Sequence, residues 1–282
     1  MKKFMALSMA AIMAFTVSGC GSKPAETTAA GTTAAETAAE ADTTAADTEA
    51  AGETSAAAPG KKYIINTDTT FAPFEFENEK GDLVGIDMDI LKAVAEDQGF
   101  SYEVVPVGFS AAVTALEAGE CDGVIAGMSI TDERVQKYDF SEPYYDSGVG
   151  MAVLSDSDIT SYDQLKDRKV AAKIGTEGCT FAESIADQYG FEVIQYESSS
   201  DMYQAVLAGE AAACFEDYPV IGYEISRGLG LTLPTPMEKG SSYGFATLKG
   251  ANPELVEMFN KGLENIKASG RYDEILDTYI AK

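Results

Sequence analysis

The chain has 282 residues and carries 20 Lys+Arg against 46 Asp+Glu, a formal net charge of −26. That balance excludes nucleic-acid binding, because phosphate recognition needs clustered positive charge. Histidine and tryptophan are absent, which removes Ser-His-Asp and Cys-His nucleophile chemistry and the commonest zinc ligand, while 45% hydrophobic residues exclude wholesale disorder.

Residues 1–20 read as an export signal. Lys2 and Lys3 precede a mostly apolar run from Phe4 to Val17, too short for a lone membrane span. The run closes on Val17-Ser18-Gly19-Cys20, which resembles the lipobox where bacterial lipoprotein signals are cut and the cysteine is acylated. An ordinary secretory signal cut elsewhere is the alternative. Acylation of Cys20 implies a lipid anchor at the extracytoplasmic face of the cell membrane. Residues 21–60 hold 15 Ala and 9 Thr, with no aromatic or large aliphatic residue. Such a segment cannot offset its chain entropy by apolar burial, so a disordered Ala/Thr/acidic tether is expected. Beyond Cys20, the cysteines are Cys121, Cys179 and Cys214. Three thiols permit at most one internal disulfide, with Cys179–Cys214 the candidate pair.

From Lys61 onward, short apolar runs alternate with 3.6-periodic segments, the pattern of a parallel α/β sheet. Tyr63–Thr67 reads as a strand, and Ile86, Ile90, Leu91 and Val94 mark a helix ending near Gly99. A strand Tyr102–Val107, a helix Ser110–Ala118 and a strand Cys121–Ala126 follow, with Thr131 placed to cap a short helix from Asp132. Asp87 and Asp89 sit where a helix dipole favours acids, the preferred reading over metal ligation. Then the grammar restarts. Strands Lys169–Ile174, Phe191–Tyr196 and Ala211–Glu216 alternate with helices Cys179–Tyr189, Asp201–Ala208 and Val220–Arg227, the last with Pro219 in its first turn. Ala115-Leu116-Glu117-Ala118-Gly119-Glu120 and Ala205-Val206-Leu207-Ala208-Gly209-Glu210 occupy equivalent places, suggesting two similar βαβ lobes. Tyr144–Gly148 and the polar Lys239–Ser242 lie between the lobes. A strand Tyr243–Leu248 and a helix Asn252–Ala268, with Gly270 beyond, end the pattern. Periodicity leaves open whether this last block returns to the first lobe.

Several motifs bear on that question. Asp68-Thr69-Thr70-Phe71-Ala72-Pro73-Phe74-Glu75-Phe76, Gly85-Ile86-Asp87-Met88-Asp89 and Ala126-Gly127-Met128-Ser129-Ile130-Thr131-Asp132-Glu133-Arg134 appear in order. Asp139-Phe140-Ser141-Glu142-Pro143-Tyr144-Tyr145, Lys173-Ile174-Gly175-Thr176, Glu216-Asp217-Tyr218-Pro219 and Gly270-Arg271-Tyr272-Asp273-Glu274-Ile275 follow. Together they resemble the extracellular solute-binding proteins (family 3 type) of polar amino-acid ABC importers, and glutamine-binding members above all. The resemblance implies a periplasmic-binding-protein-like two-lobe clamp (type II), each lobe a mostly parallel sheet flanked by helices, joined by a two-stranded hinge. Lobe 1 would be 61–143 plus 245–282, and lobe 2 would be 149–240. It also implies a free L-amino acid as ligand, an ABC permease with its ATPase subunits as partners, a monomer, and no cofactor, metal or catalysis.

The residues suit such a ligand. Arg134 offers a planar cationic fork for a carboxylate, and otherwise reads as a solvated charge. Backbone N–H groups near Ser129 and Thr176 would share that load, Thr176 just before a helix start. For the ammonium, Asp217 is the charged acceptor, beside the Ser129 hydroxyl and the carbonyl of the Ala126-Gly127 loop. Asp217 also reads as an N-cap ahead of Pro219. Phe71 and Phe109 would flank the ligand's aliphatic part, with core as the alternative for Phe109. Phe74 and Phe76 alternate with Glu75 and read as core. Asp68, Lys173 and Glu216 are the candidate readers of the side chain, Glu216 otherwise a solvated rim carboxylate. A primary amide accepts from Lys173 and donates to Asp68, which favours glutamine, then asparagine. The competing reading is a cyclohexadienyl-dehydratase-like enzyme on the same scaffold, with Glu216 and Asp68 as its acid–base groups.

Overall fold

The computed structural model describes residues 60–280. The expected export signal, the Cys20 lipidation site and the tether, save Gly60, lie outside the described residues.

Two sheets organise the described chain. The first runs in the order Ser101–Pro106, Lys62–Thr67, Gly123–Val124, Ala246–Leu248, Tyr138–Phe140. Its first three strands are parallel, and Ala246–Leu248 runs antiparallel to both of its neighbours. Helices Ile86–Gln98 and Pro253–Ala268 cover one face, where Ile90, Leu91 and Val94 meet Leu255, Phe259 and Leu263. Phe259 stacks on Phe245 with centroids 4.7 Å apart. Truncating such a side chain to Ala costs about 3–5 kcal/mol. Helix Phe109–Glu117 covers the other face through Ala112 and Leu116.

The second sheet runs Glu192–Tyr196, Lys169–Lys173, Ala213–Asp217, Tyr145–Leu154, Leu231–Thr232, with Glu238–Tyr243 also paired to Tyr145–Leu154. Again three parallel strands carry antiparallel additions, so each sheet is mixed around a parallel centre. Helices Glu177–Tyr189 and Ser199–Leu207 pack on opposite faces, one around Phe181 and Phe215, the other around Met202, Val206 and Cys214.

The repeated segment marks the same turn in both lobes. Gly119 and Gly209 adopt φ of 70° and 73°. Glu120 donates to the Ala115 carbonyl at 2.8 Å, and Glu210 to that of Ala205 at 2.9 Å. Positive φ is the conformation for which glycine has no steric cost.

The last block does return to the first sheet through Ala246–Leu248. It gets there along Glu238–Tyr243, which pairs antiparallel with Tyr145–Leu154 in the register Tyr243↔Tyr145, Ser242↔Asp146 and Ser241↔Ser147. The polar stretch Lys239–Ser242, expected between the lobes, is part of this strand. The expected single strand Tyr243–Leu248 is broken, because Gly244 donates to Met128 and the chain changes pairing partner there.

Other expectations are corrected. Glu75 is fully buried while Phe76 is only half-buried, packing edge-on against Tyr279. Glu75–Glu77 belongs to a small sheet with Thr70–Phe71 and Leu83–Val84, and along it burial falls from Glu75 to the exposed Glu77 instead of alternating. Asp87 does lie in the first turn of its helix, yet it too is fully buried. The short helix after Thr131 starts at Arg134, not Asp132, although Thr131 Oγ1 still accepts from the Arg134 N–H at 3.2 Å. A helix Arg271–Tyr279 follows Gly270, where no element was expected. Cys121, Cys179 and Cys214 are all buried free thiols. Cys179 packs with Phe215 while Cys214 points to the opposite face of its strand, so the expected pair cannot meet.

Candidate ligand-binding cleft

A narrow cleft lies between the two sheets. The first lobe contributes Asp68, Phe71, Phe109, Ala126, Gly127, Ser129 and Arg134, and the second Lys173, Thr176, Glu177 and Asp217. Asp68 and Gly127 follow strands of one sheet, while Lys173 and Asp217 end strands of the other. Both sheets thus present their carboxyl edges to one crevice, the place where open α/β sheets bind ligands.

Arg134 and Asp217 stand at one end. The guanidinium donates to the Ser129 carbonyl and to the Gly175 carbonyl of the other lobe, both at 2.9 Å. Its centre sits 5.5 Å from the Phe109 ring centroid. Three of its five N–H donors remain for an incoming carboxylate. Asp217 occupies the N-cap position of helix Tyr218–Ser226, but its side chain makes no capping bond. Instead, Asp217 Oδ2 accepts from Tyr243 at 2.6 Å, and Ser147 donates to that tyrosine hydroxyl at 3.0 Å. Burial and the neighbouring Glu216 push the Asp217 pKa up to about 7, against the pull of Tyr243 and Arg134. The Ser129 hydroxyl meets that of Ser241 at 3.3 Å. Thr176 caps helix Glu177–Tyr189, accepting from the Cys179 N–H at 3.2 Å.

Lys173 and Asp68 form the other end. They make an ion pair across the lobes, with 1% and 3% of their side chains exposed. The ammonium also reaches Ser199 Oγ at 3.4 Å and Thr70 Oγ1 at 3.5 Å, and it lies 5.1 Å from the Phe71 ring centroid. Its three donors are therefore engaged, two of them weakly. Phe71 in turn packs against Gly127, whose φ is 51° and whose missing Cβ would run into that ring. Phe109 serves both readings, lining the cleft and anchoring a core cluster with Leu116.

Glu216 does not line the cleft. It is fully buried behind it, accepting from the Asp217 N–H at 3.0 Å and the Tyr203 hydroxyl at 3.1 Å. The solvated-rim alternative fails as well. Burial raises its pKa, opposed by Lys173. Sequence reasoning missed Glu177, which follows the capping Thr176 directly, and Tyr243, Ser147, Thr70 and Ser199. Only Glu177 carried a local signal, its place in the first turn of a helix.

Residues 63–282 match the family of bacterial extracellular solute-binding proteins, family 3. The arginine-binding extracellular protein ArtP of Bacillus subtilis is 27% identical over 98% of this chain and 96% of its own length. The second substrate-binding domain of Lactococcus lactis GlnP, in open conformation, is 41% identical (80% of this chain, 98% of that one), with a TM-score of 0.56. An ancestral arginine-binding protein bound to arginine is 35% identical (78% and 98%), yet its TM-score is 0.73. The less similar sequence, bound to arginine, superposes better than the open domain. In the present chain the lobes are tied to each other by Lys173–Asp68, Arg134 to Gly175, and Ser199 N–H to Thr70 at 3.3 Å. The chain belongs to the bacterial extracellular solute-binding proteins, family 3, an amino-acid-binding component of ABC transport and not an enzyme.

Proposed function

We propose that the protein captures L-glutamine and delivers it to an ABC permease while tethered through acylated Cys20. The observation that carries this reading is the buried Lys173–Asp68 pair opposite Arg134 and Asp217. Arg134 would hold the ligand carboxylate, and Asp217, Ser129 and the Gly127 carbonyl would hold the ammonium. A side-chain amide would then exchange its carbonyl oxygen for the weak contacts of Lys173 to Thr70 and Ser199, and donate to Asp68. No net charge is added, which matters in a dry site. Because its contacts come from both lobes, the ligand would favour the closed state over the open one.

A cationic amino acid is the second reading. It is favoured by Glu216, which adds a second carboxyl group beside Lys173, and by the arginine named for relatives. A thermal-shift panel of the twenty amino acids, followed by calorimetry, separates the two. Stabilisation by glutamine but not by arginine supports the first reading, and the reverse pattern overturns it.

A further inference from the structure

Behind Gly127 lies a second acidic pair that no ligand contact requires. Glu75 and Asp87 are both fully buried, their carboxyl groups facing each other within hydrogen-bonding reach. Asp87 Oδ2 accepts from the Gly127 N–H at 2.8 Å and from the Tyr144 hydroxyl at 2.7 Å. Among the described residues, no N–H or O–H reaches Asp87 Oδ1 or either oxygen of Glu75. Two ionised carboxylates cannot face each other across a dry core without donors. One proton between them removes both the repulsion and the unsatisfied acceptors.

We propose that Glu75 and Asp87 share one proton, with Glu75 as its donor, and that Glu75 thereby acts as a positioning residue for the Gly127 loop at the cleft. The charges facing the pair agree. Burial, Asp87 and Asp68 push the Glu75 pKa well up, with Lys173 opposing from the second lobe. Asp87 is raised by burial to about 6, held down by Gly127, Tyr144 and Glu75. Tyr272 lies beyond, donating to the Tyr144 carbonyl. Asp87 thus grips Gly127 as a carboxylate while Glu75 stays neutral. The Gly127 loop is thereby held at the cleft that Asp217 also lines, and its part in holding an ammonium rests on the ligand reading above.

Three measurements on the full chain test the proposal. In infrared spectra at pH 8, where Asp217 is mostly ionised, wild type shows a carbonyl band of a buried protonated carboxylic acid that Glu75→Gln loses. In NMR spectra, the Gly127 amide proton lies far downfield in wild type and Glu75→Gln, and moves upfield in Asp87→Asn, where its acceptor is neutral. L-glutamine affinity survives Glu75→Gln within about threefold, because the amide still donates to Asp87, whereas Glu75→Leu loses roughly tenfold or more. A missing wild-type band, or Glu75→Gln weakening binding as much as Glu75→Leu, overturns the proposal. Should Glu75→Leu not fold, the band and the Gly127 resonance decide. Neither needs ligand, so failure of wild type to bind L-glutamine sinks the ligand reading alone.

Discussion

Tyr243 donates a 2.6 Å hydrogen bond to Asp217 Oδ2 from the strand that crosses between the lobes. The crossing strand is thereby tied to the charged acceptor in the cleft. Tyr243→Phe removes that donor and leaves a buried carboxylate short of a partner, a loss of about 1.5–3 kcal/mol in amino-acid affinity. Calorimetry at pH 7 reads it, and unchanged affinity would show that the bond is incidental.

The same carboxyl group sets a pH dependence. With its pKa at about 7, Asp217 is half protonated at neutrality in the free protein. Only the ionised form attracts an ammonium, so affinity falls about tenfold per unit as pH drops below 7. Asp217→Asn binds more weakly but flattens this limb of the profile. A wild-type profile level from pH 8 to pH 5 would contradict the raised value.

Stability runs the other way. A carboxyl group whose folded pKa exceeds its unfolded value stabilises fully below the unfolded pKa, and that contribution is lost as pH rises through the folded one. Asp217 at about 7 and Asp87 at about 6 share this sign, and Glu75 is raised as well. Acidification also relieves the self-repulsion of a chain at −26. The ligand-free protein therefore melts at a higher temperature at pH 5 than at pH 8. Scanning calorimetry checks this, and Asp217→Asn lessens the difference.

Arg134 is the proposed partner of the ligand carboxylate. Arg134→Ala strips a desolvated ligand carboxylate of its counter-charge and weakens binding by about 3–5 kcal/mol. It also removes the bond to the Gly175 carbonyl of the other lobe, so small-angle scattering should show a larger open population. Undiminished affinity by calorimetry would refute the site assignment.

Lys173→Met leaves Asp68 and Glu216 without their shared cation. Glutamine affinity drops by about two orders of magnitude, while arginine, which brings its own cation, loses less. The ratio of the two dissociation constants reports the change. An unaltered preference would mean that Lys173 does not read the side chain.

Helix ends, turns and the doubled βαβ pattern were legible in the residues themselves. Gly119 and Gly209 close helices through bonds spanning only a few positions, so six-residue matches were enough to place them. The carboxyl edges of strands were legible for the same reason, and with the motifs they brought Asp68, Gly127, Lys173 and Asp217 to one line of sight before any fold was drawn. Partnerships were not. Tyr243 meets Asp217, and Glu75 faces Asp87, only after the chain has crossed the hinge or folded a small sheet over a helix start. Burial of Glu75 contradicts its local alternation, and the inward turn of Glu216 leaves it behind the cleft rather than in it. Period and capping are energies of neighbouring residues, written in order along the chain. Desolvation and long-range hydrogen bonding depend on which surfaces meet, and those meetings exist only once two lobes have packed.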